Sequence, residues 1–225
     1  MRNNGTNPAR TDGGRPTSMP GMFPQWLLDM IRPVVGASSR VLWSIEFVGL
    51  ENIPSQGGVI VAANHQTYFD AFWLSIPIKR PTRYLAWSEA FSWPIVGRGL
   101  IWLGAWPLAV EGSDLAAIRR SLQWLREGGA VVIFPEGGRS TPNGALDRFK
   151  GGAVRLALEA KVPILPVTIR GGNQIWPRGW RLPHHGKVSV IYHPLYYPQP
   201  SPKEETRACA RRETEQLAKV IESAL

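Results

Sequence analysis

Two short apolar runs, Gly58 to Ala63 and Ala130 to Phe134, constrain the fold of this chain more than any other feature. Neither alternates polar with apolar residues, and both are shorter than a core helix, so each reads as a buried strand. Each leads straight into a polar loop. The two loops can therefore lie together along one edge of a sheet, the edge where open α/β sheets hold their ligands. Around these runs, strand-like and helical stretches alternate. Ile45 to Gly49 reads as an edge strand closed by Asn52-Ile53-Pro54, and Arg83 to Ala86, Leu108 to Val110, Ile164 to Ile169 and Lys187 to Tyr192 read as further strands. Helices are expected from Asp70 to Ser75, after an N-cap at Ser113, and from Gly151 to Ala160. A last helix is expected from Ser201-Pro202-Lys203-Glu204, which has the form of a capping box with proline at the first helical position. In the helix after Ser113, Leu115, Ile118, Leu122 and Leu125 share one face, and Gly128-Gly129 stops it. This order implies an α/β fold: a mostly parallel mixed sheet flanked by helices.

Ahead of the first strand, Trp26 to Ile31 and Val34 to Trp43 are apolar-rich, with Pro33 and Gly36 between and within them. They predict a two-helix amphipathic element over residues 23–44. Residues 1–22 read as a disordered basic tail with no apolar core of a signal peptide, and residues 45–225 as the main domain.

A chain of 225 residues that is 44% hydrophobic can bury a real core, which excludes a disordered protein. Its net charge of +9 calls for an anionic partner, and ten tryptophans beside that charge favour a membrane surface. No nucleic-acid motif is present, so no nucleic-acid partner is expected. The single cysteine, Cys209, excludes an intrachain disulfide and a cysteine-based metal cluster. The most apolar long stretch, Trp93 to Val110, contains Arg98, two prolines and three glycines, which is poor material for a spanning helix. The combination predicts a peripheral or monotopic protein on the cytoplasmic face of a membrane.

The first polar loop carries His65 and Asp70, five positions apart, so a turn entering a helix can fold them into contact. A neutral imidazole suits a general base near neutral pH, and a carboxylate on its far nitrogen fixes the tautomer. The second loop carries Glu136-Gly137-Gly138-Arg139. Its glycines let backbone amides approach an anion, and the arginine can grip a phosphate with its planar fork. Glu136 has two open roles, binding a ligand hydroxyl or buttressing the loop. Lys150 follows at a helix start, where it can meet a ligand's phosphate.

Asn64-His65-x4-Asp70, then Phe134-Pro135-Glu136-Gly137-x-Arg139-Ser140, then Val162-Pro163-Ile164-Leu165-Pro166-Val167 resembles the glycerolipid acyltransferases, and more narrowly the bacterial lysophosphatidic acid acyltransferases. The resemblance spans about Ile45 to Tyr197. It implies transfer of a fatty acyl group from acyl-CoA or acyl-carrier protein to a lysophospholipid hydroxyl, with no resident cofactor and no metal. His65 would act as general base and Asp70 as its orienting partner, with direct attack on the thioester. Asn64, Glu136, Gly137, Gly138, Arg139 and Lys150 would bind substrate.

The chain departs from that pattern in two places. Val110 stands where many family members carry a phosphate-binding arginine, and Gly138 where threonine is usual. The acceptor is therefore open between 1-acylglycerol 3-phosphate and another lysolipid, such as a lyso-aminolipid or lyso-glycolipid. A non-catalytic basic lipid-binding module is the reading from another class. A metal-dependent hydrolase built on His65, Asp70, His184 and His185 lacks any metal-ligand spacing.

Overall fold

The computed structural model describes residues 23–109, 114–141, 143–177, 179–201 and 204–225. The basic tail and Val110 to Ser113 thus lie outside the described residues. In chain order the elements are α1 (Gln25–Trp43), β1 (Glu46–Val48), β2 (Val59–Ala63), α2 (Asp70–Ser75), β3 (Thr82–Trp87), α3 (Pro94–Trp102), β4 (Ala105–Leu108), α4 (Leu115–Arg126), β5 (Ala130–Ile133), α5 (Gly152–Ala160), β6 (Ile164–Arg170), α6 (Gly172–Ile175), β7 (Ser189–Tyr192) and α7 (Thr206–Glu222).

The seven strands form one sheet in the order β1-β7-β6-β2-β5-β3-β4. The run β6-β2-β5-β3-β4 is parallel throughout, and β7 joins β6 antiparallel, carrying β1 with it. The two defining apolar runs, β2 and β5, are neighbours at the centre and are buried along their whole length. Period-two alternation divides their side chains between two cores. Val59, Val61 and Ala63 face a layer built on Trp73, Leu74 and Ile175, while Ile60 and Ala62 face one built on Leu122, Val154, Leu217 and Ile221. Helices α2 and α6 thus cover one face, and α4, α5 and α7 the other.

Three expectations change. The N-terminal element is one continuous helix, not two. Pro33 lies on its exposed side together with Asp29, whose carbonyl the proline leaves without an amide partner, so water can satisfy it. Gly36 is a contact point where the helix presses on Ile76, not a break. In α4 the cap is Asp114, whose carboxylate accepts the Ala117 amide at 2.9 Å. Its buried arc holds Ala117, Ser121, Leu122, Trp124 and Leu125, so Leu122 and Leu125 of the expected face are buried, while Leu115 at the rim of that arc is 55% exposed. The small side chains of Ala117 and Ser121 let the helix approach the sheet closely. Finally, α7 starts at Thr206, after the expected capping box. The Glu204 carboxylate that would have closed the box reaches Arg212 Nε instead, at 3.1 Å.

Candidate active site

Because β2 and β5 are adjacent and parallel, with Ala62 level with Ile133, the loops that follow them leave the same edge of the sheet side by side. The chain therefore brings its two polar motifs together at the carboxyl ends of the central strands.

Asp70, the first residue of α2, is fully buried. Its Oδ2 accepts the Gln66 amide at 2.5 Å and the Thr67 amide at 2.8 Å, and its Oδ1 accepts the Thr67 hydroxyl at 2.7 Å. His65 Nδ1 lies 2.9 Å from the same Oδ2. A carboxylate only accepts, so Nδ1 donates and the ring's lone pair sits on Nε2. The ring stacks on Phe134 at 4.2 Å between centroids. Among the described residues Nε2 has no hydrogen-bond partner, and the side chain keeps 21% of its surface exposed.

Glu136 closes the gap between the loops. Its Oε1 accepts the His65 backbone amide at 2.6 Å, while Oε2 accepts Ser140 Oγ at 2.8 Å and the Asp147 amide at 3.0 Å. The Ser140 amide returns a bond to the His65 carbonyl at 2.6 Å. Burial pushes the Glu136 carboxyl above its ordinary range, and those hydrogen bonds oppose the shift. Of its two open roles, this geometry is that of a buttress.

Arg139 leaves the same loop and lays its guanidinium over the Tyr68 ring, 3.9 Å from the centroid, with Nη2 donating to the Tyr68 hydroxyl at 3.1 Å. Gly137 holds φ at +72°, and a side chain there would start 2.5 Å from Lys150 Nζ. Lys150 is thus drawn across the loop, with its amide on the Pro135 carbonyl at 2.8 Å. Around Gly138 there is open space.

Asn64 sits apart from this group. It is buried, and its carboxamide is matched to the backbone of one residue of β6: Nδ2 donates to the Ile169 carbonyl at 2.8 Å and Oδ1 accepts the Ile169 amide at 2.7 Å. The expected substrate contact is therefore a clamp between two strand ends. Sequence reasoning missed Tyr68 and Gln66. The aromatic in the middle of His65-x4-Asp70 was a readable signal for the first. Nothing local marks Gln66, whose Oε1 accepts the Asn173 amide at 3.2 Å from α6. Val110 lies outside the described residues. Among the described residues no group of three or more His, Cys, Asp or Glu side chains could hold a metal ion.

A strand-end base oriented by a buried carboxylate, facing an arginine-bearing glycine loop, agrees with the chain's kinship: it belongs to the acyltransferase family, whose model matches residues 44–170. Within that family it is 32% identical over 159 residues to the chloroplast 1-acyl-sn-glycerol-3-phosphate acyltransferase BAT2 of Brassica napus, covering 68% of this chain and 46% of the relative. It is 31% identical over 166 residues to the 1-acyl-sn-glycerol-3-phosphate acyltransferase of Pseudomonas aeruginosa, covering 71% of this chain and 62% of that one. The crystal structure of PlsC, the 1-acyl-sn-glycerophosphate acyltransferase of Thermotoga maritima, superposes with a TM-score of 0.69 at 26% identity, over 88% of this chain and 80% of that chain. The chain spans about half the length of the curated plant relatives it matches.

Proposed function

We propose that this protein transfers a fatty acyl group from a thioester, acyl-CoA or acyl-carrier protein, to the free hydroxyl of 1-acylglycerol 3-phosphate, giving phosphatidic acid. The observation that carries the reading is the His65–Asp70 contact at 2.9 Å, which leaves Nε2 as the free basic nitrogen. In the proposed reaction the acceptor hydroxyl gives its proton to Nε2 as its oxygen attacks the thioester carbonyl. The tetrahedral adduct then collapses, the carbon–sulfur bond breaks, and the thiolate takes the proton back from His65. The products are an ester and a free thiol, with no acyl-enzyme. Arg139 and Lys150 supply positive charge for the phosphate, and Glu136 and Asn64 act by holding the loops in place.

The proposed reaction takes place at a membrane surface. Trp26, Met30, Val34 and Val41 recur along one side of α1 and are all exposed, an apolar stripe suited to the headgroup boundary. No described helix is long and apolar enough to cross a membrane. The open space around Gly138 supports a second reading of the acceptor, a lysolipid whose headgroup is larger than a bare phosphate.

Transfer from labelled acyl-CoA and acyl-carrier protein to a panel of lysolipids tests this. His65→Ala is expected to lower the rate by about 10³-fold or more while vesicle binding persists. Arg139→Ala is expected mainly to raise the KM for a phosphate-bearing acceptor. Turnover retained in His65→Ala would sink the mechanism, and binding to vesicles with no transfer to any acceptor would favour the lipid-binding module.

A further inference from the structure

We propose that Tyr68 is a positioning residue that aims Arg139 at the acceptor's phosphate, an inference that rests on the acyl-transfer reading above. The two residues are 71 positions apart and come from opposite loops. Those loops are already fastened on the inside, where Glu136 and Ser140 hold the His65 backbone, and none of those bonds touches the guanidinium. Among the described residues, Tyr68 supplies both of the contacts that orient it. The hydroxyl accepts from Nη2 at 3.1 Å, and the ring face lies 3.9 Å beneath the guanidinium carbon.

The tyrosine is itself braced. Its ring meets Trp176 edge-on at 5.2 Å, and Trp176 Nε1 donates to the Trp180 carbonyl at 2.9 Å. A guanidinium presents its donors in one rigid plane, so fixing that plane and Nη2 also fixes the direction of Nη1. Nη1 is buried and has no partner among the described residues. A charged donor without an acceptor is costly and a phosphate oxygen is an acceptor that suits it; because Nη1 is closed to solvent, a phosphate would meet the fork from its exposed Nη2 side. Because Tyr68 lies between His65 and Asp70 in the chain, the bound phosphate would be held at a distance from the base set by a single short loop.

The test is steady-state kinetics on Tyr68→Phe, Tyr68→Leu, Arg139→Ala and the Tyr68→Leu/Arg139→Ala pair. The acceptors are lysophosphatidic acid and a phosphate-free monoacylglycerol. Tyr68→Phe should raise the KM for lysophosphatidic acid about fivefold and Tyr68→Leu about thirtyfold, with kcat little changed. Tyr68→Leu should add nothing in the Arg139→Ala background and should leave the KM for monoacylglycerol unmoved. A fall in kcat at constant KM, or an undiminished Tyr68→Leu effect without Arg139, overturns the inference.

A second readout does not depend on turnover: the Tm shift produced by a short-chain lysophosphatidic acid below its micellar concentration. If the wild type acylates no phosphate-bearing acceptor, the reading under Proposed function fails. The positioning role still stands if the Tm shift is lost in both Arg139→Ala and Tyr68→Leu. It falls if Tyr68→Leu keeps the shift, or if the wild type shows none.

Discussion

Two adjacent glycines in the loop after β5 carry different obligations. Gly137 holds φ at +72°, where an L side chain is strained, and a Cβ there would crowd Lys150. Gly138 has neither constraint. Gly137→Ala should therefore lower the unfolding free energy by about 1–2 kcal/mol in urea titrations, and Gly138→Ala should change it by less than about 0.5 kcal/mol. Gly138→Thr should keep transfer to lysophosphatidic acid and weaken it for acceptors with larger headgroups. Unchanged selectivity would mean that the open space is not used. At this scale the sequence showed which polar groups the two loops carry but not which of them the frame takes up. His65 and Asp70 were legible because a turn of five positions brings them together. Asn64 and Glu136 carry equally suitable groups, yet each is taken up by the frame, Asn64 by the backbone of a residue 105 positions away and Glu136 by donors on both loops.

Among the elements, α7 shows how a helix is held by contacts that its own sequence does not announce. Thr168 on β6 donates from Oγ1 to the Ile221 carbonyl near the helix end at 2.6 Å, and His193 Nε2 lies 2.8 Å from the same hydroxyl. With the hydroxyl proton committed to Ile221, Nε2 is the donor in the neutral ring. Burial lowers the His193 pKa below the ordinary 6.5. The folded state thus favours the neutral ring, so this contribution to stability is present above 6.5 and is lost as pH falls through the depressed folded value. Thermal unfolding followed from pH 7.5 down to pH 5, about the range in which histidines titrate, should show the wild-type Tm falling more steeply than that of His193→Gln. Parallel curves would assign the acid sensitivity elsewhere. The misplaced starts of α4 and α7 have a related cause. Ser113 and Ser201 have the right side chains for caps, but the N-cap of α4 is Asp114, whose carboxylate takes the Ala117 amide, and that of α7 is Glu205, next to a Glu204 whose carboxylate is held by Arg212.

As a whole, the molecule is asymmetric across its sheet. The face covered by α1, α2 and α3 exposes Trp26, Met30, Val34, Phe72 and Trp102, while α4 on the opposite face turns Arg119, Arg120 and Arg126 outward. If the first face meets lipid, Val34→Glu should weaken co-sedimentation with anionic vesicles by about tenfold. It should leave the Tm unchanged, because Val34 packs on nothing that the fold needs. Equal binding by the variant would place the contact on another surface.

From its sequence alone this chain determined its fold class and which two polar loops leave the ends of its central strands. Buried strands are written as continuous apolar runs, and a base and its carboxylate as a fixed short spacing. These are local signals, readable without knowing what packs where. Only the tertiary structure decided that α1 is unbroken, that Asn64 is a clamp, that Glu136 is a buttress and that Tyr68 lies under Arg139. Each of those depends on which groups separated by many positions come within hydrogen-bond or van der Waals reach. That is settled by the order of strands in the sheet and by how closely the helices pack upon it.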